Sequence, residues 1–269
     1  MDLTIVVDNY CAKSGLLAEW GYSSFLQTPD GNLLFDTGGT GHIFKHNLQE
    51  LGISLKEIQA LVLSHSHHDH VGGVMDILYG APQAKLYAGF GVDRERRGDA
   101  DGKRRSGGFS FLGLPNTFEI DNYLEVLPNV FAFRVPQQSR MPRFVCCRNM
   151  WEVTESGELV PDSFEDDVSI AVKGDAGWSI LLGCAHAGLP NILQRAKELF
   201  AITEFNMVIG GSHLCAAKPE EYPDWFEKLS GFSVQKWRLN HCTGFKAAAA
   251  MSSFFKDVDW AGAGSVYKL

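Results

Sequence analysis

Apolar positions along the chain fall into short β-branched runs that alternate with stretches of helical spacing. Leu3-Thr4-Ile5-Val6-Val7 reads as a strand. A second strand, around Ser24 to Thr28, meets the turn Pro29-Asp30-Gly31-Asn32 and returns as Leu33-Leu34-Phe35. That hairpin delivers Asp36-Thr37-Gly38-Gly39 into a glycine-rich loop. From Gly41 to Leu51, Ile43, Leu48 and Leu51 share one face of an amphipathic helix that Gly52 stops. Ala60-Leu61-Val62-Leu63 is a fully apolar strand, and a short helix opens at Val71-Gly72-Gly73-Val74 toward Leu78.

The second half repeats the pattern. Strands are predicted near Val130 to Arg134, Ser169 to Val172 and Trp178 to Leu182, the last running into Gly183-Cys184-Ala185-His186. Ile192, Leu193, Ala196, Leu199 and Phe200 mark a helix face, and Met207-Val208-Ile209 is a strand ending in Gly210-Gly211-Ser212-His213. A helix from Pro219 to Leu229 precedes a strand near Trp237 to Leu239, which leads into Asn240-His241-Cys242-Thr243-Gly244 and then a helix through Ala247 to Ala250. Polar loops that follow apolar strands predict an α/β architecture of sheets covered by helices. Between them, residues 93–122 are rich in Gly, Asp, Ser and Arg without periodicity and read as a long inserted loop, a lid over a site.

Length and composition fit one domain over residues 1–269: 45% hydrophobic and 21% charged residues are ordinary globular values. The formal charge of -8 argues against non-specific nucleic-acid binding. No apolar run is long enough to span a bilayer, and Met1-Asp2-Leu3 lacks the layout of a secretion signal, so a cytoplasmic protein with no membrane partner is expected. Six scattered cysteines without CxxC spacing read as reduced thiols.

The chemistry concentrates at strand ends. Seven of the nine histidines, His65, His67, His68, His70, His186, His213 and His241, lie in loops that follow strands. Four potential ligands in His65-Ser66-His67-His68-Asp69-His70 would repel and desolvate one another without a cation. His65 and His67 point to one side of an extended segment, while Asp69 and His70 turn onto a second position, so one loop can serve two metals. Imidazole and carboxylate donors suit one or two divalent ions, zinc first, with iron or manganese as alternatives.

This cluster matches the HxHxDH signature of the metallo-β-lactamase superfamily, and Phe35-Asp36-Thr37-Gly38 resembles its upstream acidic turn. A narrower resemblance, to the subfamily containing archaeal dihydropterin-methyl-aminobenzene ribofuranosyl phosphate synthases, rests on Val7-Asp8-Asn9, Leu63-Ser64-His65, Asp166-Asp167-Val168-Ser169, Gly183 to Gly188, Gly210 to Leu214 and His241 to Gly244, in that order. The resemblance implies a four-layer αβ/βα sandwich with the site at one edge between the sheets. It also implies that His65, His67 and a downstream histidine, best assigned to His186, hold one metal, with Asp69, His70 and His241 on the other. Asp36 would hydrogen-bond a ligand histidine, unless it is only a turn former. Asp166 or Asp167 aligns with the superfamily's third motif and Cys184 or His186 with its fourth. No bridging carboxylate is visible, which leaves open one tight and one weak metal.

The expected function is a metal-dependent hydrolase that directs activated water at a small substrate, with Asp69 orienting the nucleophile and His213 contacting a substrate oxyanion or phosphate, although a structural role suits His213 nearly as well. Arg94, Arg96, Arg97, Lys103, Arg104 and Arg105 would favour an anionic, phosphorylated substrate, or else form a solvated surface. Two rivals remain: a pterin-aminobenzene synthase-like transferase, and a non-catalytic sensor that keeps the metal but performs no turnover.

Overall fold

A computed structural model describes residues 1–110, 113–114 and 116–269. Its centre is two seven-stranded sheets. The first runs, in spatial order, Val266–Lys268, Asp2–Val7, Ser23–Thr28, Gly31–Phe35, Ala60–Val62, Lys85–Gly89 and Thr117–Ile120. The second runs Val258–Trp260, Val234–Leu239, Phe205–Gly210, Gly177–Leu182, Val168–Gly174, Val130–Arg134 and Tyr123–Leu127.

The period-two alternation of strands separates the layers. Leu33 and Phe35 face inward, where they pack with Leu26 and Val62 against Ile170, Leu181, Met207 and Ile209 of the other sheet. Leu34, between them, faces outward onto Phe44 and Leu48 of the helix Gly41–Glu50 and onto Val74 and Ile77 of the helix Val74–Gly80. On the opposite flank, Ile180, Leu182, Val208 and Trp237 pack against the helices Leu189–Phe200, Tyr222–Ser230 and Phe245–Phe254. The result is the expected four-layer αβ/βα sandwich, with helix, sheet, sheet and helix in turn.

The centre of each sheet is parallel: Gly31–Phe35, Ala60–Val62 and Lys85–Gly89 in the first, and Gly177–Leu182, Phe205–Gly210 and Val234–Leu239 in the second. The loops that leave the carboxyl ends of these strands carry Asp36, the histidine cluster, Cys184, His186, His213 and His241.

The stretch 93–122 departs from its reading as a loop. Arg96–Gly98 pairs with Arg104–Gly107 and with Trp151–Val153, which pairs in turn with Leu159–Pro161, making a separate four-stranded sheet, while Thr117–Ile120 joins the edge of the first large sheet. Arg96 occupies a buried position here, because two aspartates neutralise it, so the stretch shows no hydrophobic period. Phe111, Leu112 and Pro115, in the same stretch, lie outside the described residues. No helix among the described residues is long and apolar enough to cross a membrane.

Candidate metal centre

Close backbone contact fixes the histidine loop. The Gly72 amide donates to the Gly38 carbonyl at 2.8 Å, and a Cβ on Gly72 would lie 2.1 Å from the Gly39 oxygen, so only glycine lets the two loops touch. Gly183 plays the same part opposite, since a Cβ there would lie 2.2 Å from Ser64 Oγ. Asp36, Ala185, His213 and His241 all have left-handed backbone, with φ between 45° and 62°, which is strained for residues with side chains and gathers here around one cavity.

Among the described residues four groups of donor atoms result: two histidine-rich sets, one of Cys184 with His65 and His70, and one of Cys184 with His213 and Cys242. His65, His67 and His186 form one histidine-rich set, with His65 Nε2 and His67 Nδ1 3.0 Å apart; Asp69, His70 and His241 form the other, with the Nε2 atoms of His70 and His241 3.2 Å apart and Asp69 Oδ2 3.5 Å from His241. Cys184 lies between them, its Sγ 3.1 Å from His70 Nε2 and grouped with His65 as well. All seven residues are buried.

The second nitrogen of each ring explains the arrangement. Nδ1 of His70 meets Asp36 Oδ2 at 2.7 Å, Nδ1 of His241 meets Asn9 Oδ1 at 3.0 Å, Nδ1 of His186 meets the Cys146 carbonyl at 2.9 Å, and Nδ1 of His65 meets Ser64 Oγ at 2.9 Å. At His70, His186 and His241 the neighbour is an acceptor, so Nδ1 donates and Nε2 is the nitrogen directed into the cluster. Nε2 of both His67 and His186 is buried without a hydrogen-bond partner. Converging lone pairs in a buried site are costly unless a cation lies among them, so the residues fit a divalent metal.

Burial drives His65 and His186 well below the usual histidine range, with neighbouring histidines adding to the effect, and it takes His67 down to about 3 against the attraction of Asp69. At His70 burial is outweighed by the Asp36 carboxylate, which raises the ring to about 9. Burial opposes ionisation of Asp69 too, yet the hydrogen bond from His241 and the charge of His70 hold its carboxyl well below the usual carboxylate range.

Asp166 stands away from both groups. Its Oδ2 accepts the Ser66 amide at 3.0 Å and its Oδ1 meets Arg96 Nη2 at 2.7 Å; Arg96 also reaches Ser66 Oγ at 2.6 Å and pairs with Asp162 at 2.9 Å. Neighbouring Asp167 accepts the Ala187 amide at 2.7 Å, and Phe164 stacks on the His186 ring at 3.8 Å. The acidic run 162–167 thus pins the loops that carry His65, His67 and His186. His213 lines the cavity with Nδ1 unpartnered, its ring 4.3 Å from that of His186. His68 is exposed at the rim.

Sequence reasoning missed Arg96, Asp162 and Phe164 as parts of the site, and Trp20, whose ring lies 5.2 Å from that of His241. Arg96 was read only as one of a basic run, and nothing local separates it from exposed Arg104, which pairs with Asp99 at 3.3 Å. The Val7-Asp8-Asn9 motif did carry a signal: Asp8 Oδ1 accepts the His241 amide at 2.8 Å, beside Asn9.

Residues 21–119 match the family model described as Metallo-beta-lactamase superfamily. A solved structure described as a metal-dependent hydrolase of the beta-lactamase superfamily superposes on 100% of this chain and 99% of its own, with a TM-score of 0.85 and 24% identity, and so shares its fold. Over residues 21–119 the chain is thus similar to the metallo-β-lactamase superfamily. It is also similar to the 7,8-dihydropterin-6-methyl-4-(beta-D-ribofuranosyl)-aminobenzene-5'-phosphate synthase of Methanocaldococcus jannaschii, 27% identical across 88% of this chain and 84% of the relative. An uncharacterised protein of the same organism is 27% identical across 93% of both. The narrower resemblance read from the motifs thus has a named counterpart, and that counterpart is a synthase.

Proposed function

We propose that this chain is a metallo-β-lactamase superfamily enzyme with two divalent metal positions that hydrolyses a small phosphorylated or otherwise anionic substrate. The observation that carries this reading is the pair of three-residue donor sets, His65/His67/His186 and Asp69/His70/His241, in which the rings of His65, His70, His186 and His241 are held from outside at Nδ1. Cys184 groups with His65 and His70, one residue of each set, and its sulfur would be a donor within reach of both positions, where the sequence offers no bridging carboxylate. Metal ions bound there would supply Lewis acidity and a source of hydroxide at neutral pH.

The chain's own residues supply positioning. Asp69, kept ionised, would accept a hydrogen bond from the attacking water and orient it. His213, with Nδ1 unpartnered and facing the cavity, donates to negative charge on the substrate. Arg104 lines the same cavity of about 480 Å³ beside its partner Asp99, and would meet an anionic group there with the guanidinium N–H groups that Asp99 does not take.

Elemental analysis combined with turnover of ester and phosphodiester panels tests the proposal. His67→Ala and His70→Ala each lose metal and activity, whereas full stoichiometry in either variant would show that the ligands are misassigned. Transferase chemistry is the second reading, favoured by the relationship to the synthase. It predicts turnover only when a second substrate is added, while the hydrolase turns over one substrate and takes up oxygen from labelled water.

A further inference from the structure

Cys184 and Cys242 follow strands that are not neighbours. Cys184 lies just beyond Gly177–Leu182 and Cys242 just beyond Val234–Leu239, and Phe205–Gly210 runs in parallel between them. Two strand spacings put such positions about 10 Å apart, too far for a disulfide. The loops nevertheless converge over the end of the middle strand, where the sequence reads Gly210-Gly211. A Cβ on Gly211 would lie 2.5 Å from Cys242 Sγ and 2.5 Å from the Gly183 carbonyl oxygen, so only glycine lets the two loops meet across it. Left-handed backbone at Ala185 and at His241 makes a sharp turn beside each cysteine.

As a result the two sulfurs and a ring nitrogen of His213 lie within 4.8 Å of one another. Cys242 Sγ accepts the His213 amide at 3.3 Å and sits 3.7 Å from the Cys184 carbonyl oxygen. Both cysteines are buried free thiols, yet both line the cavity of about 480 Å³ over the metal centre, which gives a small reagent a way in. Cys242 belongs to neither histidine-rich set, so the proposed function leaves it without a task.

We propose that Cys184 and Cys242 are a reversible dithiol/disulfide pair, a redox modification site whose oxidised form withdraws Cys184 from the metal centre. The pairing rests on the cysteine geometry alone, and only its consequence for metal rests on the proposed function. The gap between the sulfurs is one that rotation about the two Cα–Cβ bonds can close. Cys184 Sγ is engaged by His70 Nε2 at 3.1 Å, so Cys242 takes the first step. With hydrogen peroxide as the oxidant, the Cys242 sulfur attacks one peroxide oxygen, the O–O bond breaks and water leaves, which makes Cys242 a sulfenic acid. The Cys184 sulfur then attacks the Cys242 sulfur, an S–S bond forms, and the sulfenic oxygen leaves as a second water with the Cys184 thiol proton. Two thiols are oxidised, and one peroxide is reduced to two waters. A disulfide sulfur carries no negative charge, so it is a poor metal donor where a thiolate is a good one.

Peptide mapping by mass spectrometry tests this on the zinc-reconstituted and the metal-free protein, each treated with hydrogen peroxide and then alkylated. A pair of peptides joined through Cys184 and Cys242 is expected, and a phosphine reductant separates it. The joined form is expected to hold zinc at least about tenfold more weakly than the dithiol form, as read by competition with a coloured chelator. Cys242→Ser forms no link to Cys184, while Cys215→Ser, which removes the exposed cysteine that also lines the cavity, forms it as the wild type does. A link found only in the metal-free protein supports the same competition, because bound zinc then occupies Cys184. Peptides that join Cys242 to Cys215 instead, or thiols that all remain open to alkylation after peroxide, overturn the inference, as does a link between Cys184 and Cys242 that leaves zinc affinity unchanged. A link that forms in a protein unable to take up zinc keeps the pair and counts against the metal centre alone. Two zinc ions per chain with no link in either state leave the metal centre standing and overturn the pair.

Discussion

Asp36 accepts a hydrogen bond from His70 Nδ1 at one carboxylate oxygen and hydrogen bonds from the Ser64 hydroxyl and amide as well, at 2.6 and 2.7 Å, so one buried residue orients two parts of the cluster. Partners of this kind are worth about 10–100-fold in metal affinity. Asp36→Ala is therefore expected to weaken metal binding by about that factor at the Asp69/His70/His241 position, and less at the other, which it reaches only through Ser64 and His65, as read by competition with a coloured chelator. Asp167 offers a test by pH. Burial raises its carboxyl from 3.8 to about 7. The folded protein then keeps a proton that the unfolded chain has released, so stability falls as pH rises from about 4 to about 7, at up to ~1.4 kcal/mol per pH unit, and levels off above. Asp167→Asn carries no such proton, and urea unfolding of both proteins at about pH 5 and about pH 7 should show a smaller fall in the variant. An equal fall would mean that Asp167 does not titrate in this window.

At the scale of elements, the small four-stranded sheet is the surprise and Arg96 is its centre. The side chain is 1% exposed and pairs with Asp162 and Asp166, joining the strand Arg96–Gly98 to the acidic run and to Ser66 between two candidate ligands. Removing the cation leaves buried carboxylates without a partner, and Arg96→Met is expected to cost about 3–5 kcal/mol. Thermal unfolding of the metal-free protein measures that loss separately from any change in metal affinity. The large sheets and most helices were legible because each strand needs one face or both apolar: Leu33, Leu34 and Phe35 announce a strand buried on both faces. The small sheet was not, because charge pairing across a distance of 66 to 70 residues buries Arg96 without any apolar period. Arg94, Arg97 and Lys103 are engaged by Glu165, Glu95 and Asp101, and Arg104, itself paired with Asp99, is the member of the basic run that lines the cavity.

Over the whole molecule, the site is assembled from carboxyl ends of strands in both sheets, so neither half holds a complete set of donors. His65, His67, Asp69 and His70 come from the first half, and Cys184, His186 and His241 from the second. That division was readable because each of these residues directly follows an apolar run; the place of Cys184 between the two sets was not, because spacing along a chain does not show which of two neighbours, Cys184 or His186, faces which side. The separation of Asp166 from the donors was equally hidden, since its partner Arg96 lies 70 residues away. The central claim concerns metal number, and quantitative elemental analysis of the reconstituted protein, beside Asp69→Ala and His186→Ala variants, addresses it most directly. The account predicts two divalent ions per chain in the wild type and about one in each variant, the remaining ion held by the intact set. A wild type that stays metal-free after reconstitution would contradict it.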